Sequence, residues 1–116
     1  MLKPASVHTE IEQNVQVVVV SGEIDMATAP LLSHELTNVI ETQQGPVVLD
    51  LCEVGYFDSS GLRATLVAHR ELSERGRRLL LACPPDGNLR RTFAVTGLGQ
   101  VLSLHPNRRA ALAAAA

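Results

Sequence analysis

The chain contains no tryptophan, and aromatic residues fill only 3% of its 116 positions. Its core must therefore be aliphatic, and it lacks the aromatic platforms on which single-stranded nucleic acids stack. Neither sign of charge dominates: the formal net charge is -2 and the sequence pI about 6.0. That removes the basic field a nucleic-acid partner needs. The longest apolar runs, residues 17–20 and 79–83, are too short to span a bilayer. The opening MLKPASVHTE has no apolar stretch of the secretory type. A cytoplasmic protein with no membrane or nucleic-acid partner is expected.

Cysteine is scarce too. Cys52 and Cys83 are the only two, they are not in C-x-x-C spacing, and no His/Cys cluster surrounds them. A metal site and a cofactor are not expected. Both thiols read as small buried hydrophobes in a reducing compartment, with contact between them left open because each lies at a predicted strand end. G-x-S-x-G and G-x-x-x-x-G-K-[ST] are absent, which excludes a nucleophile elbow and a P-loop. His8, His34 and His105 are scattered, and His69 reads as a partly buried helix histidine rather than a base. Asp50 at a strand end invites an aspartyl-phosphate reading, but no acidic pair follows the first apolar strand to hold Mg²⁺; a strand-end or loop-stabilising role is expected instead. No catalytic residue is identified, and an enzyme is not expected.

What the chain has is aliphatic mass, at 46% hydrophobic residues. One domain over 1–116 is expected, large enough to bury roughly two thirds of its unfolded surface. VQVVVVS at 15–21 reads as a strand that Gly22 breaks, and Gln13-Asn14 as a turn from an earlier strand at 7–12. Thr28 as N-cap, Pro30 in the first turn and Leu31, Leu32, Leu36, Val39 and Ile40 at helical spacing predict a helix over 28–43. PVVLDL at 46–51 reads as a central strand, followed by a connection over 52–57. The next helix starts at Ser59 or Ser60 and runs to Arg75. Its apolar face carries Leu62, Thr65, Leu66, His69 and Leu72, and Gly76 closes it. A strand at 77–83, a short helix at 89–96, a strand at 100–104 and a helix capped by Asn107 complete the chain. The order predicts an α/β fold: a mostly parallel sheet of about five strands with an antiparallel edge hairpin, and about four helices.

YFDSSGL at 56–62 lies where a strand end feeds a helix start. Orphan N–H groups and positive potential gather there. Asp58, Ser59 and Ser60 all make good caps, but a helix needs one cap, so a second hydroxyl is left unexplained. A phosphoserine at such a place carries about -1.5 to -2 charges and is tolerated by the helix dipole, with about 0.3–1 kcal/mol of favourable interaction. Arg63, Val67, Arg70 and Glu74 lie on the exposed face of the same helix, and Arg90 and Arg91 on the next.

VVLDLCEVGYFDSSGLRATLVAHREL resembles the central segment of STAS domains of the anti-anti-sigma factor class. GEIDMATAP resembles that family's early G-E-[IL]-D element, and RRTFAVTGLGQVL its late segment. The resemblance implies a STAS-like domain that works by partner switching. Unphosphorylated, it binds an anti-sigma factor that is also a serine kinase, and a sigma factor is released. Phosphorylation by that kinase breaks the complex, and a metal-dependent phosphatase restores it. By position the resemblance makes Ser59 the acceptor, with Asp25, Asp58, Ser60, Gly61, Leu62, Arg63 and Val67 in the partner-binding region. A monomer or weak dimer is expected. Arg63 departs from the family, standing where a second glycine often follows the G-L pair, and Cys52-Glu53 replaces a commoner small polar pair. The other reading is a STAS subunit docked on a transporter or lipid-export complex without phosphorylation.

Overall fold

In the computed structural model, which describes residues 4–116, five strands form one sheet in sequence order. They are β1 (Ser6–Glu12), β2 (Val15–Ile24), β3 (Val47–Phe57), β4 (Leu79–Ala82) and β5 (Ser103–His105). The first pair is antiparallel and each later neighbour is parallel. Gln13 and Asn14, at φ 53° and 64°, make the hairpin turn, whose two left-handed positions match the twist of the strands they join. The helices are α1 (Ala29–Thr42), α2 (Ser59–Glu74), α3 (Asn88–Thr96) and α4 (Arg108–Ala115). The expected α/β architecture with an antiparallel edge is the one observed.

The sheet is covered unequally. Val18 and Val20 of β2, Leu49 and Leu51 of β3 and Leu81 of β4 pack with Leu32, Leu36 and Ile40 of α1, Ala64, Ala68 and Leu72 of α2 and Phe93 of α3. On the opposite face Val17, Val48 and Leu80 meet Ala111, Leu112 and Ala115 of α4. Alternation along each strand thus sends apolar side chains both ways, which is why the strands read as continuous apolar runs. It also separates the cysteines: Cys83 belongs to the α1–α2 side and Cys52 packs on the α4 side. Burial pushes both thiols up, Cys52 to about 12, so neither is a thiolate at neutral pH.

Several boundaries differ from the sequence reading. β2 does not stop at Gly22, and β3 does not stop at Leu51. Both continue, to Ile24 and Phe57, through register shifts on either side of the Ser21/Glu53 and Gly22/Val54 pairs. Gly22, at φ 84°, supplies the bulge conformation that lets the pairing resume. The last strand starts at Ser103, because Leu98–Gln100 form a 3₁₀ turn after Gly97. The buried face of α2 centres on Gly61, Ala64, Thr65, Ala68 and Leu72, while Leu62 and Leu66 are only half-buried at its margin. Small residues take the inner line because α2 lies close against the sheet and α1.

Asp50 is not a loop residue. It sits within β3, only 6% exposed, facing the α4 side. Its Oδ1 accepts from the Cys52 N–H at 3.0 Å, and its Oδ2 accepts from Arg108 Nε at 2.7 Å. Arg108 Nη1 reaches Glu10 at 3.2 Å and Glu12 at 3.1 Å, so one guanidinium ties α4 to both β3 and β1. Burial alone would push the Asp50 carboxyl up, but the Cys52 N–H and then Arg108 outweigh it, and its pKa falls below the ordinary 3.8. Its contribution to stability is therefore complete above about pH 4 and is lost as pH falls through the lowered value. Arg108→Ala would leave a buried carboxylate without its cation and should cost about 3 kcal/mol at neutral pH. Arg109→Ala, on the exposed side of α4, should stay within about 0.5 kcal/mol. Urea midpoints measured from neutral to acid pH check both, and the acid loss attributable to Asp50 should shrink or reverse in Arg108→Ala.

Candidate functional site

The extended pairing of β2 and β3 brings two loops together at the sheet's carboxyl edge. Glu23 lies opposite Tyr56 and Ile24 opposite Phe57. One step further, the Asp58 N–H donates to the Ile24 carbonyl at 3.1 Å. Asp25 and Asp58, more than thirty positions apart in the chain, therefore begin adjacent loops.

Asp25 is turned into its own loop. Its Oδ1 accepts from the Ala27 N–H at 2.9 Å and the Thr28 N–H at 3.0 Å. Thr28 Oγ1 accepts from the Asp25 N–H at 2.8 Å and lies 2.9 Å from the Glu23 carbonyl and 3.1 Å from Asp25 Oδ1, sharing its one proton between them. Thr28 stands at the N-cap position as expected, but its hydroxyl faces the preceding loop and does not cap α1. The Thr28 N–H and then its hydroxyl hold the Asp25 carboxyl below the usual carboxylate range. Asp25 thus stays ionised and fixes the loop, while Oδ2 has no hydrogen-bond partner among the described residues.

Asp58 is the N-cap of α2, its Oδ1 accepting from the Ser60 N–H at 2.8 Å. That assigns the cap, and neither serine is needed for it. Ser59 is exposed, Ser60 is half-buried, and neither hydroxyl has a hydrogen-bond partner among the described residues. Gly61 is buried, and a Cβ there would stand 2.8 Å from the Phe57 ring. The glycine therefore lets the first turn of α2 close onto the sheet. Leu62 is half-buried against the α1–α2 core, and Arg63 and Val67 are exposed. Of the residues singled out in the sequence, Ser59, Arg63 and Val67 stand at the surface, Asp25, Asp58 and Ser60 frame it, and Gly61 and Leu62 support it from below.

Beside this edge is a cleft of about 420 Å³, walled by Leu51, Val54, Tyr56 and Phe57 on one side and by Asn88 and Leu89 at the start of α3 on the other. Arg90 lies behind it, donating to the Cys83 carbonyl at 2.7 Å. Arg91 is exposed on α3. Among the described residues no group of His, Cys, Asp or Glu could hold a metal ion, and no helix is long and apolar enough to cross a membrane.

A STAS domain profile matches residues 6–111. The chain belongs to the STAS family. Within it, this STAS domain falls among the anti-sigma factor antagonists. It is 38% identical over 88 residues, 75% of either chain, to the anti-sigma-B factor antagonist of Listeria monocytogenes. Its fold superposes with TM-score 0.87 on an anti-sigma factor antagonist from Mycobacterium paratuberculosis, at 31% identity over 97% of this chain and 94% of that one. The phosphorylated form of SpoIIAA, a Bacillus cell fate determinant, shares the fold at TM-score 0.66 and 22% identity, over 86% and 91% of the two chains.

Two exposed apolar side chains at this edge escaped the sequence reading. Met26, directly after Asp25, is 79% exposed, and Tyr56, two before Asp58, is 53% exposed. They put apolar area at the sheet edge that carries Ser59. The available signal was a large apolar residue within two positions of each motif aspartate. The division of labour within the motif is checkable by chemical unfolding. Asp58→Ala should lose about 1 kcal/mol with its cap, Ser59→Ala should lie within about 0.5 kcal/mol of the parent, and Gly61→Ala should cost about 2 kcal/mol as the Phe57 ring is displaced.

Proposed function

We propose that this STAS domain is a binding switch without catalysis of its own. Unphosphorylated, it binds an anti-sigma factor that is also a serine kinase, and a sigma factor is released. Phosphorylation at Ser59 dissociates the complex, and a metal-dependent phosphatase reverses it. The observation that carries this reading is that Ser59 is exposed and has no capping role, since Asp58 fills it. Membership among the anti-sigma factor antagonists supports the partner class. A soluble, cytoplasmic setting follows from that partner.

The physical basis is local. A phosphate on Ser59 would add about -1.5 to -2 charges at the start of α2. The helix N-terminus tolerates it, with about 0.3–1 kcal/mol of favourable dipole interaction, so the fold persists. The same charge would lie next to Asp58 and the Asp25 loop, at the edge where Met26 and Tyr56 are exposed. An apolar partner surface seated there meets a strongly hydrated dianion, and desolvating it opposes binding. Arg63, also exposed on α2, is the residue by which this domain would select its own kinase.

Wild type, Ser59→Ala and Ser59→Asp used as parallel baits in host lysate test the switch. Wild type and Ser59→Ala should retain a kinase-fold anti-sigma factor, and Ser59→Asp should bind it at least about tenfold more weakly, a loss of about 1.4 kcal/mol. Equal retention by all three, or capture of a membrane complex in place of the kinase, would replace this reading with a docking subunit.

A further inference from the structure

The opposite end of the sheet carries a second charged site. After α2 the chain reads Arg75-Gly76-Arg77-Arg78. Among the described residues none of these arginines forms an ion pair. Their partners are backbone carbonyls. Arg77 Nε and Nη1 donate to Gly45 and Ile40, each at 2.8 Å, Arg75 Nη1 donates to Ile40 at 3.3 Å, and Arg78 Nη2 donates to Ala114 at 3.0 Å. Carbonyls satisfy donors without neutralising charge. Arg77 Nη2 is buried with no partner among the described residues, and burial together with the Arg75 charge lowers the Arg77 pKa.

Arg77 and Arg78 flank a cavity of about 200 Å³ between the last turns of α2 and the starts of β4 and β5. Its polar lining is Arg77, Arg78, His69, Ser73 and Ser103, and no carboxylate contributes. Arg78 keeps Nε and Nη1 without partners among the described residues, and Ser73 and His69 likewise make no side-chain hydrogen bond. Ser103 Oγ is 2.8 Å from His105 Nε2, so its hydroxyl is already oriented at the rim. Leu79, Leu80 and Val101 close the floor and one wall.

We propose that this cavity is an anion site for a phosphate group carried on a small molecule. Arg78 supplies a planar fork through its second Nη2 N–H paired with Nε or Nη1, a geometry that suits a phosphate oxygen pair, Ser73 and His69 offer further donors, and Arg77 adds a fixed charge behind them. A half-open volume of this size admits a phosphomonoester head with its first carbons on the apolar wall. The site lies at the amino edge of the sheet, remote from Ser59 at the carboxyl edge, and stands independently of the switch reading.

Amide and imidazole resonances of the full chain, followed during titration at constant ionic strength, test it. The probes are inorganic phosphate and glycerol 3-phosphate, with chloride as control and phosphatidic acid vesicles as the lipid source of the same group. Saturable shifts at Ser73, Arg78, Leu79 and Ser103 with both free phosphates are expected. Arg78→Gln, at an exposed position, should weaken them at least about tenfold with an unchanged melting temperature. His69→Gln should weaken them without touching the Ala114 contact. Shifts no larger than with chloride, equal binding by both variants, or binding to vesicles but not to glycerol 3-phosphate would each overturn the proposal.

Discussion

Parallel pairing of β2 with β3 survives two register shifts and ends with Ile24 opposite Phe57, after which the Asp58 N–H bonds to the Ile24 carbonyl. The candidate site depends on that bond. It places the Asp25 loop against the start of α2, and it fixes the level at which the helix begins. Phe57, the last residue of β3, then lays its ring on Gly61 in the first turn of α2. Strand end, cap and helix start are thus coupled within five residues. A change at Gly22, where the bulge resets the register, would reach Ser59 through this coupling without touching it.

The loop chemistry follows from where each carboxylate spends its oxygens. Asp25 commits Oδ1 to backbone N–H groups and Asp58 commits Oδ1 to the Ser60 N–H. Backbone donors in loops are the groups most costly to leave unpaired when a surface is later covered by a partner. Satisfying them in advance removes the backbone share of that cost, while Asp25 Oδ2 and the two serine hydroxyls remain for an incoming surface to pair. The exposed side chains beside it are apolar, which suits docking. In the proposed switch, a phosphate would add a strongly hydrated dianion to this rim and raise the cost of desolvating it, with the fold unchanged.

Element order, the antiparallel edge hairpin and the Asp-Ser-Ser-Gly helix start were legible because they rest on local signals: β-branched runs, a two-residue turn, capping residues and glycine stops. The far halves of β2 and β3 were not. Gly22 reads as a break and Glu53, Gly55 and Tyr56 interrupt the apolar run, yet pairing resumes because each half-strand has the other to bond to, a tertiary effect outside any short window. The role of Asp50 was hidden for the same reason, since its partner Arg108 is 58 residues away. Which of three adjacent capping residues takes the cap was also beyond sequence. It was decided by the extended backbone at Asp58, which aims that carboxylate at the Ser60 N–H.

The two ends of the sheet differ in electrostatics because the βα units are parallel. α1 and α2 both start at the carboxyl edge and end at the amino edge, so their positive dipole ends lie near Ser59 and their negative ends near Arg75 and Arg77. The C-terminal carbonyls of α1 hold Arg77 in place, and each helix end carries only about half an elementary charge of the opposite sign. Arg75, Arg77 and Arg78 are met there by carbonyls and partial charges and form no ion pair among the described residues, although Glu41, Glu71 and Glu74 stand in the same helix ends. Acidic loops at the other edge sit on positive helix ends by the same rule. The polarity that would steady a phosphate on Ser59 in the proposed switch and the placement of the arginines at the opposite edge are therefore two consequences of one topological choice, the parallel crossover.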